Sequence, residues 1–360
     1  MYIEKGLRAF AGVLLVLLAA VAAEEAVAQT APQTRYPWDK RPEFCFQRDT
    51  PDVPQCASDD WPTWHATLER VTYLYEFEQF VLLERALKEL VASKKVFVNG
   101  DSPASAAYWA FRILMRGPGV DPSHQGTIAR WKAAIPGSDF AAFAEARFLY
   151  ANAWNVRGSG FAGSVSRESW ELFDIRLQEA ESVLRNSSET LKNTPLWHNL
   201  MLAIAQDGTR GRSRADAVFE EAVRRWPRYF EFYEVRLTRL VPKWGGSWAE
   251  VESFIDRWSR KLAPSEGASA YARLYVSVKN QGVTPDQTAM DWARMKASFE
   301  DLTKRYPDPA FKNLYASYAC FARDKAAFNI ALAKLSAGEL DEGVWLPGHS
   351  YEACLRWAGI

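Results

Sequence analysis

The sequence predicts an all-α fold, in which right-handed helical repeats form an α-solenoid behind an extended N-terminal arm. Two segments share one spacing of apolar residues followed by proline: Ala215, Phe219, Ala222 and Pro227, then Met295, Phe299, Leu302 and Pro307. This spacing places the apolar residues on one face of a helix and the proline just past the helix end. Because such a helix cannot bury its apolar face alone, it must stack on neighbouring helices.

Residues 1–28 have the pattern of a secretory signal peptide. Lys5 and Arg8 precede an apolar run over residues 9–23, and Ala26-Val27-Ala28 supplies a cleavage site. We therefore expect a periplasmic or secreted protein. An uncleaved membrane anchor is the alternative, although the run is shorter than the roughly 20 residues that span a bilayer. No later apolar run is long enough, so we expect no membrane span after cleavage.

Residues 29–63 form the predicted arm. The segment is rich in proline and aromatic residues, as in Tyr36-Pro37-Trp38, and such proline density opposes helix formation. We expect an extended chain held to the helical body by Trp38, Phe44 and Phe46. The helical-repeat domain is then predicted over residues 64–360.

Two helix ends share a basic residue followed by glycine. The helix that Ser102-Pro103 opens is predicted to end at Arg116-Gly117, and a later helix at Arg157-Gly158. A basic last turn and a glycine are typical of helix C-termini, so we expect two equivalent ends. Arg116 and Arg157 are candidates for a shared anion site. The alternative is that they only complement the helix dipoles.

The most distinctive loop is a candidate ligand site formed by Lys243, Trp244, Gly245, Gly246 and Ser247. Glycines before a helix expose backbone amides that hold anions, and tryptophan beside lysine grips a sugar or peptide. In the structural interpretation the glycines make a tight turn and Trp244 fills the seam between repeats. Ser247 and Glu250 then form a capping box.

Four cysteines follow the signal segment, namely Cys45, Cys56, Cys320 and Cys354. An oxidising compartment permits disulfides, and four cysteines allow three connectivities. We favour Cys45–Cys56 with Cys320–Cys354, because each pair staples one end of the chain. Four buried free thiols are the alternative. No C-x-x-C pattern supports a redox motif or a zinc site.

Composition and motifs give no support for several functions. The 360 residues include 44 Lys and Arg against 44 Asp and Glu, so the neutral chain is not expected to bind nucleic acid. No nucleophile-elbow, metalloprotease or phosphate-loop pattern is present, and no two of the four histidines have metal-ligand spacing. We predict no catalytic residue, metal site or cofactor. Asp59-Asp60 fits a helix-capping turn better than a catalytic pair.

The Phe219 and Phe299 segments resemble the tetratricopeptide (TPR) repeat family. Combined with the Trp154–Gly158 helix end, the Pro242–Ser247 loop and the Tyr318–Cys320 helix, the chain resembles a TPR-like bacterial family. That family is catalogued as a domain of unknown function, number 4034, and the resemblance covers about residues 64–335. It implies the fold and transfers no activity, substrate or site.

The sequence thus predicts an exported binding or scaffold protein. Its helical-repeat surface is expected to hold a peptide, a protein segment or an envelope polymer. Two alternatives remain at this point. One is a cell-envelope enzyme with an unrecognised active site, and the other is a carbohydrate-binding protein whose 14% aromatic content lines a groove.

Overall fold

The computed structural model describes residues 63–360, except 209–211 and 337, together with the two strands Phe46–Gln47 and Thr50–Pro54. All of these residues belong to one compact unit, Cys45–Ile360. The predicted signal peptide, Cys45, Cys56, Asp59-Asp60 and the rest of the arm lie outside the described residues. The two strands pair antiparallel, with Phe46 opposite Pro54.

Apart from that hairpin, the described chain is helical, which confirms the all-α prediction. Sixteen α-helices are present among the described residues: α1 Trp64–Glu76, α2 Phe80–Ala92, α3 Pro103–Leu114, α4 Ser123–Ala134, α5 Asp139–Arg157, α6 Arg167–Arg185, α7 Glu189–Lys192, α8 Pro195–Asp207, α9 Arg212–Arg225, α10 Glu231–Leu240, α11 Trp248–Glu266, α12 Ser269–Lys279, α13 Trp292–Arg305, α14 Pro309–Phe321, α15 Lys325–Leu332 and α16 Tyr351–Ala358. Short 3-10 turns join some of them, including Pro242–Trp244.

The helices pack as a repeat. Successive helices contact each other in pairs, as α5 with α6, α8 with α9, and α12 with α13 do. The residues of the shared spacing, from Ala215 to Ala222 in α9 and from Met295 to Leu302 in α13, are buried at these contacts. The repeated spacing therefore marks packing faces, as expected.

A second set of contacts runs between the pairs. Helix α3 contacts α8, α8 contacts α10, and α10 contacts α12. The chain also closes on itself, because Arg273 of α12 donates a hydrogen bond of 2.7 Å to Asp101, just before α3. These inner helices provide the walls of the cavities described below.

The two predicted glycine helix ends differ from each other. Helix α5 ends as expected, with Gly158 at φ 75°. Helix α3 ends earlier, at Leu114, so the prediction of two equivalent ends was wrong. A Cβ at position 117 would overlap the Ala151 carbonyl, so Gly117 allows the chain after α3 to pass close to α5.

Helix caps follow the sequence signals in most places. Ser102 caps α3 as predicted, and the Ser247 hydroxyl accepts a hydrogen bond of 3.2 Å from the Glu250 amide at the start of α11. The Glu250 carboxylate also accepts a hydrogen bond of 3.0 Å from the Ser247 hydroxyl. Thr284 and Gln287 form a second capping box. It caps only the 3-10 turn Pro285–Gln287, because the backbone at Thr288 is extended.

The C-terminal end is stapled by a disulfide. Cys320 in α14 bonds to Cys354 in α16, which confirms this half of the favoured pairing and rules out free thiols at these two positions. The Cys45–Cys56 half lies outside the described residues. Across the part of the chain that the structure describes, no helix is both long enough and apolar enough to cross a membrane.

Candidate functional site

A cavity of about 730 Å³ lies between α3, α5 and the 3-10 turn after α10. Among the described residues that line it, five are basic and none is acidic; the basic ones are Arg112, Arg116, Arg147, Arg157 and Lys243. We call it the basic cavity. Four sequence candidates, Arg116, Arg157, Lys243 and Trp244, come together on its wall although 41 to 128 positions separate Arg116 from the others.

The basic residues lie at different depths. Arg116 and Lys243 are exposed, and the Arg112 side chain is 40% exposed and forms a 3.5 Å ion pair with Glu234. Arg147 and Arg157 are only 5% and 8% exposed. Positive charge therefore extends from solvent to the inner wall of the cavity.

Arg147 is the least satisfied of the five. Its Nε and Nη1 atoms are buried without a hydrogen-bond partner among the described residues. Its guanidinium lies 5.1 Å from the centre of the Tyr150 ring. Burial lowers the pKa of Arg147, since water no longer stabilises the charge.

Arg157, by contrast, is held by its own helix end. Its Nη1 donates to the carbonyl oxygens of Gly158 and Gly160, at 3.1 and 2.8 Å. The guanidinium also lies between Trp154 and Trp170, 5.3 and 5.1 Å from the ring centres. Burial, and next the charge of Arg239, lowers the pKa of Arg157. The residue serves the helix terminus and still presents charge to the cavity.

Aromatic rings separate the cations. The Arg112 guanidinium lies over Trp109, 4.1 Å from the ring centre. Trp154 and Trp244 meet edge to face at 5.9 Å and 82°. These three tryptophans are partly buried and line the cavity.

Asp207, at the end of α8, fixes this aromatic wall from behind. The Tyr150 hydroxyl donates to Asp207 Oδ2 at 2.7 Å, and Trp154 Nε1 donates to the same oxygen at 3.2 Å. Arg239 donates to Oδ1 at 2.9 Å and lies over Trp244, 4.4 Å from the ring centre. Because one carboxylate, itself 2% exposed, accepts hydrogen bonds from three side chains, the wall is pre-organised.

The other loop candidates lie away from the cavity lining. The Gly245 and Gly246 amides donate to the carbonyls of Pro242 and Val241, at 3.0 and 3.3 Å, and Ser247 caps α11. Gly245 has φ 83°, and a Cβ at Gly246 would overlap the Leu240 carbonyl. Both glycines therefore have a structural purpose, and Lys243 and Trp244 are the loop residues that reach the cavity.

A second, smaller cavity of about 260 Å³ shares Trp109 with the first. Three carboxylates line it, Asp101, Glu231 and Glu234, and we call it the acidic cavity. The Ser105 hydroxyl donates to Glu231 Oε1 and accepts a 3.2 Å hydrogen bond from Trp64 Nε1. Glu231 Oε2 is buried without a partner among the described residues.

Burial, and next the charge of Asp101, raises the pKa of Glu231 to about 8. At neutral pH the carboxyl is therefore mostly protonated and can donate a hydrogen bond into the acidic cavity. Asp101 remains paired with Arg273. The acidic cavity is thus lined by carboxyl groups and by Arg273, which pairs with Asp101, whereas the described charged residues of the basic cavity are all cations.

Sequence reasoning missed several wall residues, among them Arg112, Arg147, Trp109, Tyr150 and Trp154. Arg147, Tyr150 and Trp154 share one face of α5, and Trp109 and Arg112 share one face of α3, but only helix stacking brings the two faces together. One signal was available: Arg147 interrupts the apolar run of α5, between Ala146 and Phe148. A lone charge on a buried helix face is costly unless it has a partner.

One further cluster involves the disulfide. Potential ligand atoms of Cys320, His349 and Cys354 lie within 4.8 Å of one another. Both sulfur atoms are bonded to each other, and a metal ion needs free thiolates. With the disulfide formed, the cluster therefore consists of a structural cross-link and a neighbouring histidine, and its sulfur atoms are not available as metal ligands.

Comparison of the chain with protein-family models, with curated proteins and with solved structures finds no match. The resemblance to the domain-of-unknown-function family 4034 therefore stays a prediction.

Proposed function

We propose that this chain is an exported binding protein that holds a peptide, a protein segment or an envelope polymer in the basic cavity. The observation that carries the proposal is the lining of that cavity, which combines five cations with the rings of Trp109, Tyr150, Trp154 and Trp244. Its volume of about 730 Å³ falls within the range of roughly 300–1,000 Å³ typical of ligand sites.

Two further features support the proposal. The wall is held in place by Asp207 before any ligand arrives, and pre-organisation reduces the entropy that binding costs. The predicted signal peptide and the Cys320–Cys354 disulfide both fit a periplasmic or secreted location.

Capture from a cell-envelope extract tests the proposal. The mature chain is immobilised, and the retained material is identified by mass spectrometry. The double variant Arg116→Glu and Lys243→Glu reverses two exposed charges at the rim, so it should lose the retained material while keeping its melting temperature. A matched double variant, Arg224→Glu and Lys304→Glu, changes exposed residues outside this lining and should retain it. Equal retention by all three proteins, or none by the wild type, contradicts the proposal.

The acidic cavity favours the enzyme alternative. A buried carboxyl with a raised pKa and an unpaired oxygen is a candidate general acid, and Glu231 meets this description. The test is incubation of envelope polymers with the wild type and with Glu231→Gln. New cleavage products formed by the wild type alone support catalysis, and identical product profiles contradict it.

The carbohydrate alternative is confined to one place. None of the described tryptophans is fully exposed, so the structure has no open row of rings along a groove within the described residues. Trp109, Trp154 and Trp244 instead surround the basic cavity. A saccharide ligand in that cavity is therefore compatible with the proposed binding function.

A further inference from the structure

The basic cavity carries information about the charge of its ligand. The whole chain is neutral, with 44 basic and 44 acidic residues, yet the described lining of this cavity has five basic residues and no acidic one. Charge is thus segregated locally. Clefts lined by one sign of charge concentrate ligands of the opposite sign.

The unpaired inner arginine is a second and independent observation. Arg147 lines the cavity and is only 5% exposed. Two of its guanidinium nitrogens have no hydrogen-bond partner among the described residues. Burying a cation without a partner is unfavourable, and an anion placed against it removes that cost. Trp244 Nε1, also buried and unpaired, is another donor on the same wall.

The chemistry of the donors restricts the anionic group. Arginine presents parallel N–H donors that match the two oxygens of a carboxylate or a phosphate. The second arginine of the inner wall, Arg157, adds charge although its Nη1 already serves two carbonyls. The innermost position therefore suits one oxyanion group rather than a metal ion or an amine.

The rings indicate what carries the anion. Trp109, Trp154 and Trp244 are partly buried and line the same cavity as Arg147 and the exposed residues Arg116 and Lys243. Aromatic faces favour rings or apolar faces of a ligand, whereas an extended acidic peptide made of Asp and Glu offers neither. Two further cations, Arg116 and Lys243, are exposed at the rim. They favour a ligand with additional negative charge on its solvent-facing part.

We infer that the basic cavity binds an acidic saccharide, a sugar chain or sugar end that carries carboxylate or phosphate groups, with Arg147 holding the innermost anionic group. This inference rests on the proposed binding function and specifies its ligand class. The tryptophans hold the sugar rings, and Arg116 and Lys243 hold the outer charges. Carboxylated and phosphorylated sugars share this chemistry, and the experiment separates them.

Calorimetric titration of the mature chain tests the inference with defined probes. The acidic probes are trigalacturonate, for carboxylate, and glucose 6-phosphate, for phosphate. The comparison probes are maltotriose, triglutamate, a short oligothymidylate and inorganic phosphate. We expect at least one acidic saccharide to bind at least tenfold more tightly than every comparison probe, with an affinity that falls as sodium chloride rises.

Two variants locate the anion. Arg147→Met keeps an unbranched apolar stem and removes the charged guanidinium, so it should weaken binding of the acidic saccharide at least tenfold. Its melting temperature should equal or exceed that of the wild type, because an unpaired buried charge has been removed. If Arg147→Met does not fold, the rim variant Arg116→Glu and Lys243→Glu provides the test, with an expected tenfold loss and a weaker salt dependence. Arg176→Gln is the matched control: this arginine is half-exposed, pairs with Glu179 outside the cavity lining, and its variant should bind normally.

Specific outcomes overturn the inference. Affinity for both acidic saccharides that is no higher than the affinity for maltotriose, tighter binding of triglutamate or oligothymidylate, or unchanged binding by folded Arg147→Met each contradicts the inference. In these cases the envelope capture described above still decides the proposed binding function. A failed capture with a successful saccharide titration, or the reverse, distinguishes the two claims.

Discussion

At the residue scale, the wall of the basic cavity shows which positions a sequence can indicate. Arg116, Arg157, Lys243 and Trp244 were candidates because they lie at helix ends or beside glycines, where local signals are strong. Arg147 lies in the middle of α5 and has no such signal beyond its charge. Its position opposite the loop after α10 follows from the stacking of helices, which a single sequence does not encode locally.

The loop glycines illustrate the same limit. The dipeptide Gly245-Gly246 is compatible both with exposed amides that hold an anion and with a tight turn. The structure distinguishes them, because both amides donate to backbone carbonyls and Gly246 lies against the backbone of Leu240. Only the contact partner decides between the two interpretations, and that partner is part of the preceding helix.

Glu231 makes the stability of the protein depend on pH. Its pKa is about 8 in the folded state against an ordinary value of 4.5. Between these values the unfolded chain binds fewer protons, so the contribution of Glu231 to the free energy of unfolding falls as pH rises from about 4.5 to 8. The slope is at most about 1.4 kcal/mol per pH unit for one proton.

Urea denaturation at pH 5 and pH 8 measures this effect. Glu231→Gln resembles the protonated acid at both values, so it should gain stability relative to the wild type as pH rises. Glu171→Gln, an exposed glutamate in a surface ion pair with Arg167, is the control and should show little change with pH. A difference between Glu231→Gln and the wild type that is the same at both pH values contradicts the assignment.

At the element scale, local sequence signals predicted some helix ends and missed others. Helix α5 ends at Arg157, as the basic residue followed by glycine predicted, because helix-end signals are local. The capping box at Thr284 opens a 3-10 turn rather than an α-helix. Helix α13 begins instead at Trp292, where Asp291 accepts a hydrogen bond of 2.7 Å from the Arg294 amide.

The disulfide should stabilise the C-terminal helices α14 and α16. The bond closes a loop with a sequence separation of 34, which in the loop-entropy model corresponds to roughly 3–4 kcal/mol. Cys354→Ser should therefore lower the free energy of unfolding by an amount of this order under non-reducing conditions. Reductant should lower the free energy of unfolding of the wild type more than that of the variant, since the variant has already lost this bond. Equal stability of the two proteins without reductant contradicts the prediction.

At the scale of the whole molecule, contacts of long sequence separation distinguish this chain from a simple linear array. In such an array each repeat contacts only its neighbours, so stability is a sum of local terms. Here Asp101 pairs with Arg273, and Ser105 donates to Glu231, across 172 and 126 positions. Gly100, at φ 79°, lies against the Tyr306 ring, which leaves no room for a side chain at this closure.

These contacts should make unfolding cooperative across the repeats. We expect the wild type to show one urea transition that coincides by far-ultraviolet circular dichroism and by tryptophan fluorescence. Asp101→Asn removes the charge that faces the buried Arg273 and should cost roughly 1–3 kcal/mol, as expected for a hydrogen bond to a charged group. With the closure weakened, the two transitions should separate, because the repeats before α8 and those after α10 lose one of the links between them. The change Arg176→Gln breaks a local ion pair at a half-exposed position and should leave both transitions coincident. Separate transitions in the wild type, or coincident and unshifted ones in Asp101→Asn, would show that the repeats unfold as a linear array despite the closure.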